Sequence, residues 1–232
     1  MAYVAGLDGC KNGWFGVFWE EITRDCAAAR FDSIHEVLES SYKPSVVAID
    51  IPIGLLNAAK RGGRDCDRAA RALLGRPRAS SVFSPPIRQA LRYTHDYRAA
   101  LNANRRSSAE NVGIPRQCHA LFTKISEAET LRATNIGYRM YEVHPELCFY
   151  EMNKCQPMHH GKKAKQGAGR SERTEVLRLT QFAGFLDDIL ADRVPGVAMD
   201  DALDALAACW TALRIASSKA IYVGDSSAKI WR

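Results

Sequence analysis

Three acids stand in apolar surroundings, where a charge is expensive to keep. Asp8 follows the run Tyr3-Val4-Ala5-Gly6-Leu7, and Asp50 follows Val46-Val47-Ala48-Ile49. An ionised carboxylate in a buried strand costs several kcal/mol unless a positive charge compensates it. Either Asp alone could simply turn the chain at a strand end through hydrogen bonds to its backbone. Two such strands, each delivering one Asp, point instead to a shared cation, because adjacent carboxylates repel unless a cation lies between them. The third acid belongs to Asp200-Asp201-Ala202-Leu203-Asp204-Ala205-Leu206. Asp200 suits the positive end of a helix dipole, and Asp201 fits a cap and a ligand equally. Asp204 lies in the second turn, beside Leu203, Leu206, Ala207 and Trp210, which should face a sheet. Asp201 and Asp204 are three apart and can point to one site.

Two further groups could carry chemistry. In Tyr141-Glu142-Val143-His144-Pro145-Glu146 a strand would set Glu142, His144 and Glu146 on one face, although Pro145 takes the chain out of a sheet at that point. Arg64, Arg68 and Arg71 fall along one helix face, with Arg76 and Arg78 soon after. Helix salt bridges such as Asp67 with Arg71 are the plain reading; three like charges suit phosphate contacts better. From Lys60 to Arg116 there are thirteen Lys or Arg against four acids, a local +9 in a chain of net charge +6, which leaves the remainder at −3. A basic segment attached to an acidic core fits a polyanion substrate, and equally a solvated helical surface. Cys155, His159 and His160 could bind metal, but their Lys-rich surroundings favour a solvated loop.

The elements that must position these residues can be read along the chain. Residues 3–8, 14–19 and 26–31 are strands joined by short turns, hence an antiparallel meander. Ser33, with Glu36 three positions later, caps a helix ending near Ser40-Ser41. Residues 45–51 form a buried strand stopped by Pro52, able to lie parallel to the first. Helices follow over Arg61 to Gly75, Pro86 to Asn104 and Cys118 to Ala133, before a strand over 138–144. The Lys- and Gly-containing segment 153–170 reads as a mobile loop, then a helix from Arg173 to Leu190 and a last one from Asp200 to Ile215.

Composition sets the class. At 232 residues, 47% hydrophobic and 25% charged, the chain is an ordinary globular protein, expected to form a single domain over 1–232 with an insertion at about 56–135. No stretch nears the ~20 apolar residues of a membrane span, and the first residues do not read as a signal peptide. Seven cysteines without a CxxC pair suggest reduced thiols and a cytoplasmic setting. No heptad or apolar stripe indicates an oligomeric state.

Taken together, Gly6-Leu7-Asp8-Gly9-Cys10-Lys11-Asn12-Gly13-Trp14, Ile49-Asp50-Ile51-Pro52-Ile53-Gly54-Leu55, Arg64-Asp65-Cys66-Asp67 with Ser80-Ser81-Val82-Phe83, Tyr141 to Glu146 and Asp200-Asp201-Ala202-Leu203-Asp204-Ala205 resemble the successive motifs of the DUF429 family, whose members are described as predicted RNase H-like nucleases. The resemblance implies an α/β fold of RNase H type: a mixed five-stranded sheet, its first three strands antiparallel, flanked by helices, with a helical insertion after the fourth strand. It also implies divalent metal held by acids at the places of Asp8, Asp50, Asp201 and Asp204. The expected activity is phosphodiester hydrolysis in DNA or RNA with two Mg²⁺ or Mn²⁺ ions, Glu142 assisting the acids. Arg64, Arg68, Arg71, Arg76, Arg78 and His144 are then candidates for holding the substrate. Two other readings are nucleotide binding of the actin-like ATPase type, prompted by the Asp8-Gly9-Cys10 turn, and a non-catalytic nucleic-acid-binding module.

Overall fold

The computed structural model describes residues 3–133, 139–191 and 194–232. Strands β1 (Tyr3–Cys10), β2 (Gly13–Glu20), β3 (Cys26–Phe31), β4 (Val46–Ile49) and β5 (Arg139–Glu142) form one sheet in the order β3-β2-β1-β4-β5. The first three are antiparallel, as their short connections require. The β1–β2 turn is the pair Lys11-Asn12, with Asn12 at φ 58°, the left-handed region that tight hairpins use. Helix α1 (Ile34–Glu39) makes the crossover that brings β4 parallel to β1, and Ser33 Oγ caps it by accepting from the Glu36 N–H at 3.2 Å. β5 then lies parallel to β4.

Between β4 and β5 come α2 (Asp65–Arg78), α3 (Tyr97–Arg106), α4 (Arg116–His119) and α5 (Phe122–Ala133); after β5 come α6 (Pro145–Met152), α7 (Ala168–Arg178), α8 (Ala183–Ala191) and α9 (Met199–Ala216). The two sheet faces are separate cores. Val4, Phe15, Val17 and Ala48 pack under α9 through Leu203, Leu206 and Ala208, while Leu7, Ile49 and Trp14 pack against Ile34, Phe122 and Ile125. This is the mixed, helix-flanked sheet expected of an RNase H-like fold, with a helical segment after the fourth strand. Among the described residues no helix is long and apolar enough to cross a membrane.

Several expected boundaries shift. The helix over Pro86 to Asn104 is a 3₁₀ turn (Arg88–Tyr93) and then α3, because Asp96 starts a new helix by accepting from the Ala99 N–H at 2.9 Å. The helix over Arg173 to Leu190 is α7 and α8, divided where the Thr180 hydroxyl donates to Leu177 O and accepts from the Phe182 N–H. Likewise, the helix over Cys118 to Ala133 is α4 and α5. The expected strand start at Tyr138 and insertion end at 134–135 lie outside the described residues. A hairpin of β6 (Tyr222–Gly224) and β7 (Lys229–Trp231) was not anticipated; it meets the chain just beyond β5 through a parallel bridge between Val143 and Trp231.

β1 packs very closely on α9. A Cβ at Gly6 would overlap the Cys209 amide nitrogen and the Ala205 carbonyl oxygen. Gly6 therefore lets the helix backbone rest on the strand, and the run of small residues Ala202, Ala205, Ala208 and Ala212 continues that contact. Replacing Gly6 with Ala should cost about 1–3 kcal/mol through forced separation of the two backbones. Urea denaturation measures it, and wild-type stability in that variant would mean that the approach is not constrained by this residue.

Candidate metal centre

The β1–β4 register pairs Gly6 with Ala48 and Leu7 with Ile49, and the Asp50 N–H donates to Leu7 O at 3.0 Å. One step further along these parallel strands stand Asp8 and Asp50. Alternation puts Val4, Gly6 and Asp8 on one face, with Val46, Ala48 and Asp50 beside them, all turned toward α9. The contact made by Gly6 brings α9 close enough for Asp204 to complete the group. Carboxylate oxygens of Asp8, Asp50 and Asp204 lie within 4.8 Å of one another. Asp8 Oδ1 also accepts the Gly9 N–H at 2.7 Å.

Burial and mutual repulsion dominate the electrostatics. Burial holds the Asp8 carboxyl well above the usual carboxylate range, and the charges of Asp204 and Asp50 push it further. Asp50 is pushed up to about 6 by burial, with Lys162 opposing and Glu146 adding. Asp204, only 4% exposed, is pushed up to about 7 by burial, again against Lys162. Its Oδ2 accepts from the Lys162 ammonium, while its buried Oδ1 has no partner among the described residues. Another unpaired oxygen is Oε2 of Glu146, a residue 3% exposed whose other oxygen pairs with Arg173. Each buried acceptor left without a donor costs about 1–3 kcal/mol. The three Asp carboxylates could hold a divalent metal ion, which would relieve both the repulsion and the orphaned Asp204 oxygen; an all-oxygen donor set suits a hard cation.

Lys162 escaped the sequence reading because 153–170 was expected to be a mobile loop. The segment is instead tied down. Glu172 accepts from the N–H groups of His159 at 2.7 Å and His160 at 2.9 Å. Gly169 packs so closely on the Gly161 carbonyl that a Cβ there would overlap it. The buried Arg173 donates to Gly169 O at 2.7 Å, to His160 O at 3.1 Å and to Glu146. Gly161 and Gly169, which suggested flexibility, serve close contact; Glu172 and Arg173, within α7, were the available signal.

Other candidates lie elsewhere. Glu142 is opposite Ile49 in the β4–β5 register, so its side chain faces away from Asp8 and Asp50, on the other side of the sheet. There Arg64 donates to both of its oxygens at 2.6 and 2.7 Å, and to Asp67 at 2.7 Å and Ile53 O at 2.8 Å. Arg64 precedes α2 and is buried, so it is a structural ion-pair partner rather than a phosphate contact. Arg71 donates to Val82 O, Gly62 O and Ser84 Oγ, clamping the Ser/Pro stretch; Arg68 donates to Gly63 O and pairs with Asp65. Glu142, His144 and Glu146 do not form a row, because His144 caps α6 and Glu146 is already helical. Both His144 ring nitrogens are occupied: Nε2–H faces Ser81 O at 3.3 Å, and Nδ1 accepts the Glu146 N–H at 3.2 Å. Asp201 accepts the Ala198 N–H at 3.1 Å as a helix cap and stands outside the triad, although its charge raises Asp8. Arg76 is exposed beyond a kink at Gly75, and the half-buried Arg78 reaches Gly161, next to Lys162.

A family model described as a protein of unknown function, DUF429, matches residues 6–228. The chain belongs to the DUF429 family. All three converging acids fall within the matched span. No curated protein and no solved structure matches this DUF429 chain.

Two expectations follow. Replacing Arg64 with Met leaves Glu142 and Asp67 buried without their cation and should cost about 3–5 kcal/mol; unchanged denaturation would return Arg64 to the list of substrate contacts. The Asp carboxyls are raised above their ordinary value, so the folded metal-free protein binds protons that the unfolded chain has released. The contribution of these acids to stability is then greatest at low pH and declines as pH rises from about 4 through the range of Asp50 (about 6) and Asp204 (about 7). Melting curves in a chelator should show this decline, and Asp204→Asn should flatten it; a stability that rises across the same window would contradict the repulsive cluster.

Proposed function

We propose that the protein is a divalent-metal-dependent hydrolase cleaving phosphodiester bonds in nucleic acid. The carrying observation is the convergence of Asp8, Asp50 and Asp204 at the carboxyl ends of β1 and β4 and on α9, with one Asp204 oxygen left unpaired. Acids at two strand ends and on the last long helix, within this sheet topology, match the arrangement that RNase H-like nucleases use. The three Asp side chains would hold Mg²⁺ or Mn²⁺, hard cations suited to carboxylate oxygens. Such an ion, when bound, polarises a phosphoryl oxygen and lowers the pKa of its water.

The protein's own groups do the rest. Asp8 is fixed by its bond from the Gly9 N–H and by the strand that carries it, so its second oxygen keeps a constant position. Asp50 is the most exposed of the three and marks the side from which substrate enters. Arg76 and Arg78 have no carboxylate partner among the described residues, and Arg78 stands beside the loop carrying Lys162, exposed Lys163 and exposed Lys165. These charges favour a polyanion. Nucleic acid supplies both the repeated phosphates for that rim and the bond to be broken.

Labelled single- and double-stranded DNA and RNA, each with Mg²⁺ or Mn²⁺, test the activity. Asp8→Asn should lower cleavage by about 10³-fold, several kcal/mol of lost stabilisation, with a native circular dichroism spectrum. Equal cleavage by Asp8→Asn and wild type would remove the carboxylate site from the reaction.

A further inference from the structure

Lys162 places a positive charge where a carboxylate-held metal centre takes its own. We propose that the centre accepts one divalent cation and that the Lys162 ammonium is its built-in second cation. This rests on the metal-dependent reading above and replaces the pair of ions expected from the sequence.

The charge balance is the first reason. With a metal bound and the acids ionised, Asp8, Asp50 and Asp204 bring three negative charges within 4.8 Å of one another, and the charge of Glu146 reaches Asp50 and Asp204. Two cations answer them: Arg173 on Glu146 and Lys162 on Asp204. The cluster is left with two negative charges, which one divalent ion neutralises. Further out, the half-buried Asp201 and Lys124 offset each other, and burial and Lys162 lower the His144 pKa. A second divalent ion would leave a net positive charge in a site with little water to solvate it.

The second reason is geometric. The ammonium occupies one Asp204 oxygen and leaves the other unpaired, so a single acceptor position on this residue remains for a metal. The third is rigidity. Contacts of Gly161 with Gly169, of Glu172 with the 159–160 amides and of Arg173 with the loop carbonyls set the backbone from which Lys162 reaches in. Its side chain is 31% exposed at the ammonium-bearing mouth, whereas that of Asp204 is 5% exposed. Burial would lower the Lys162 pKa, but the charges of Asp204 and Asp50 outweigh it and hold the ammonium above the usual lysine range.

Calorimetric titration with Mn²⁺, combined with Mn²⁺ electron paramagnetic resonance, tests the proposal on wild type, Lys162→Met and Lys162→Arg. Wild type and Lys162→Arg should each bind a single Mn²⁺ with no spin coupling. Lys162→Met, freed of a competing cation, should bind Mn²⁺ at least about tenfold more tightly, a gain of about 1.4 kcal/mol. Two spin-coupled ions in wild type would overturn the proposal, as would a folded Lys162→Met with unchanged or weaker affinity. The wild-type stoichiometry decides alone if Lys162→Met does not fold. Absence of Mn²⁺ binding in every protein, Lys162→Met included, would overturn the metal-dependent reading itself, a result distinct from a two-ion wild type.

Discussion

Repulsion among three buried carboxylates is the constraint around which the rest of the structure is organised. Asp8, Asp50 and Asp204 are brought together by two elements that have no reason of their own to carry acids: an apolar pair of parallel strands and an alanine-rich helix. The hydrophobic core forces the approach, since Gly6 seats α9 on β1 and the apolar neighbours of each Asp are fully buried. Packing free energy thereby holds together groups that electrostatics would separate. The repulsion that remains after Lys162 has paired with Asp204 is what a bound cation could relieve.

The sheet carries buried charge on both faces, and the two groups differ in how fully their polar atoms are paired. On the face away from α9, Arg64, Asp67 and Glu142 satisfy one another completely, helped by the Ile53 and Arg64 amides and the Ile53 carbonyl. Such a closed network ties α2 to the end of β5 and leaves no donor or acceptor for anything else. On the α9 face, two carboxylate oxygens, Asp204 Oδ1 and Glu146 Oε2, stay unpaired at nearly full burial. Native interiors rarely keep such atoms without a purpose. The same chemistry, a carboxylate at the carboxyl end of a central strand, is closed into an ion-pair network at Glu142 and left without a full set of partners in the cluster of Asp8, Asp50 and Asp204.

How much of this was legible in the chain depends on the range of the information. The strands and the meander follow from local apolar runs and short turns, and the three acids are conspicuous because each interrupts such a run. Period-two alternation correctly assigns faces within a strand but cannot say which face of β5 matches which face of β4; the register, fixed by Ile49 opposite Glu142, decides that. Helical spacing grouped Arg64, Arg68 and Arg71, yet Arg64 lies before the first turn of α2 and turns inward to a residue far along the chain. Lys162 was invisible for a different reason. Lysine and glycine in a segment without periodicity signal a solvated loop, and only the distant partners Asp204, Glu146 and Arg173 make it part of the interior.

The basic segment between β4 and β5 shows how composition and fold divide one property between them. Its surplus of positive charge suggested a broad polyanion surface, but Arg64, Arg68 and Arg71 direct their guanidinium groups to carbonyls, a serine hydroxyl and acids of the protein itself. Those contacts shape the Ser80–Pro86 stretch, whose Ser81 carbonyl in turn faces the His144 ring at the start of α6. Arg78, further along the same helical segment, lies against Gly161, and Gly161 precedes Lys162. The insertion thus reaches the acid cluster from two directions, through His144 and through the Lys162 loop. A charge change at Arg78 would be felt by the loop that positions the ammonium, so the basic insertion and the charge balance of the acid cluster are mechanically joined rather than independent.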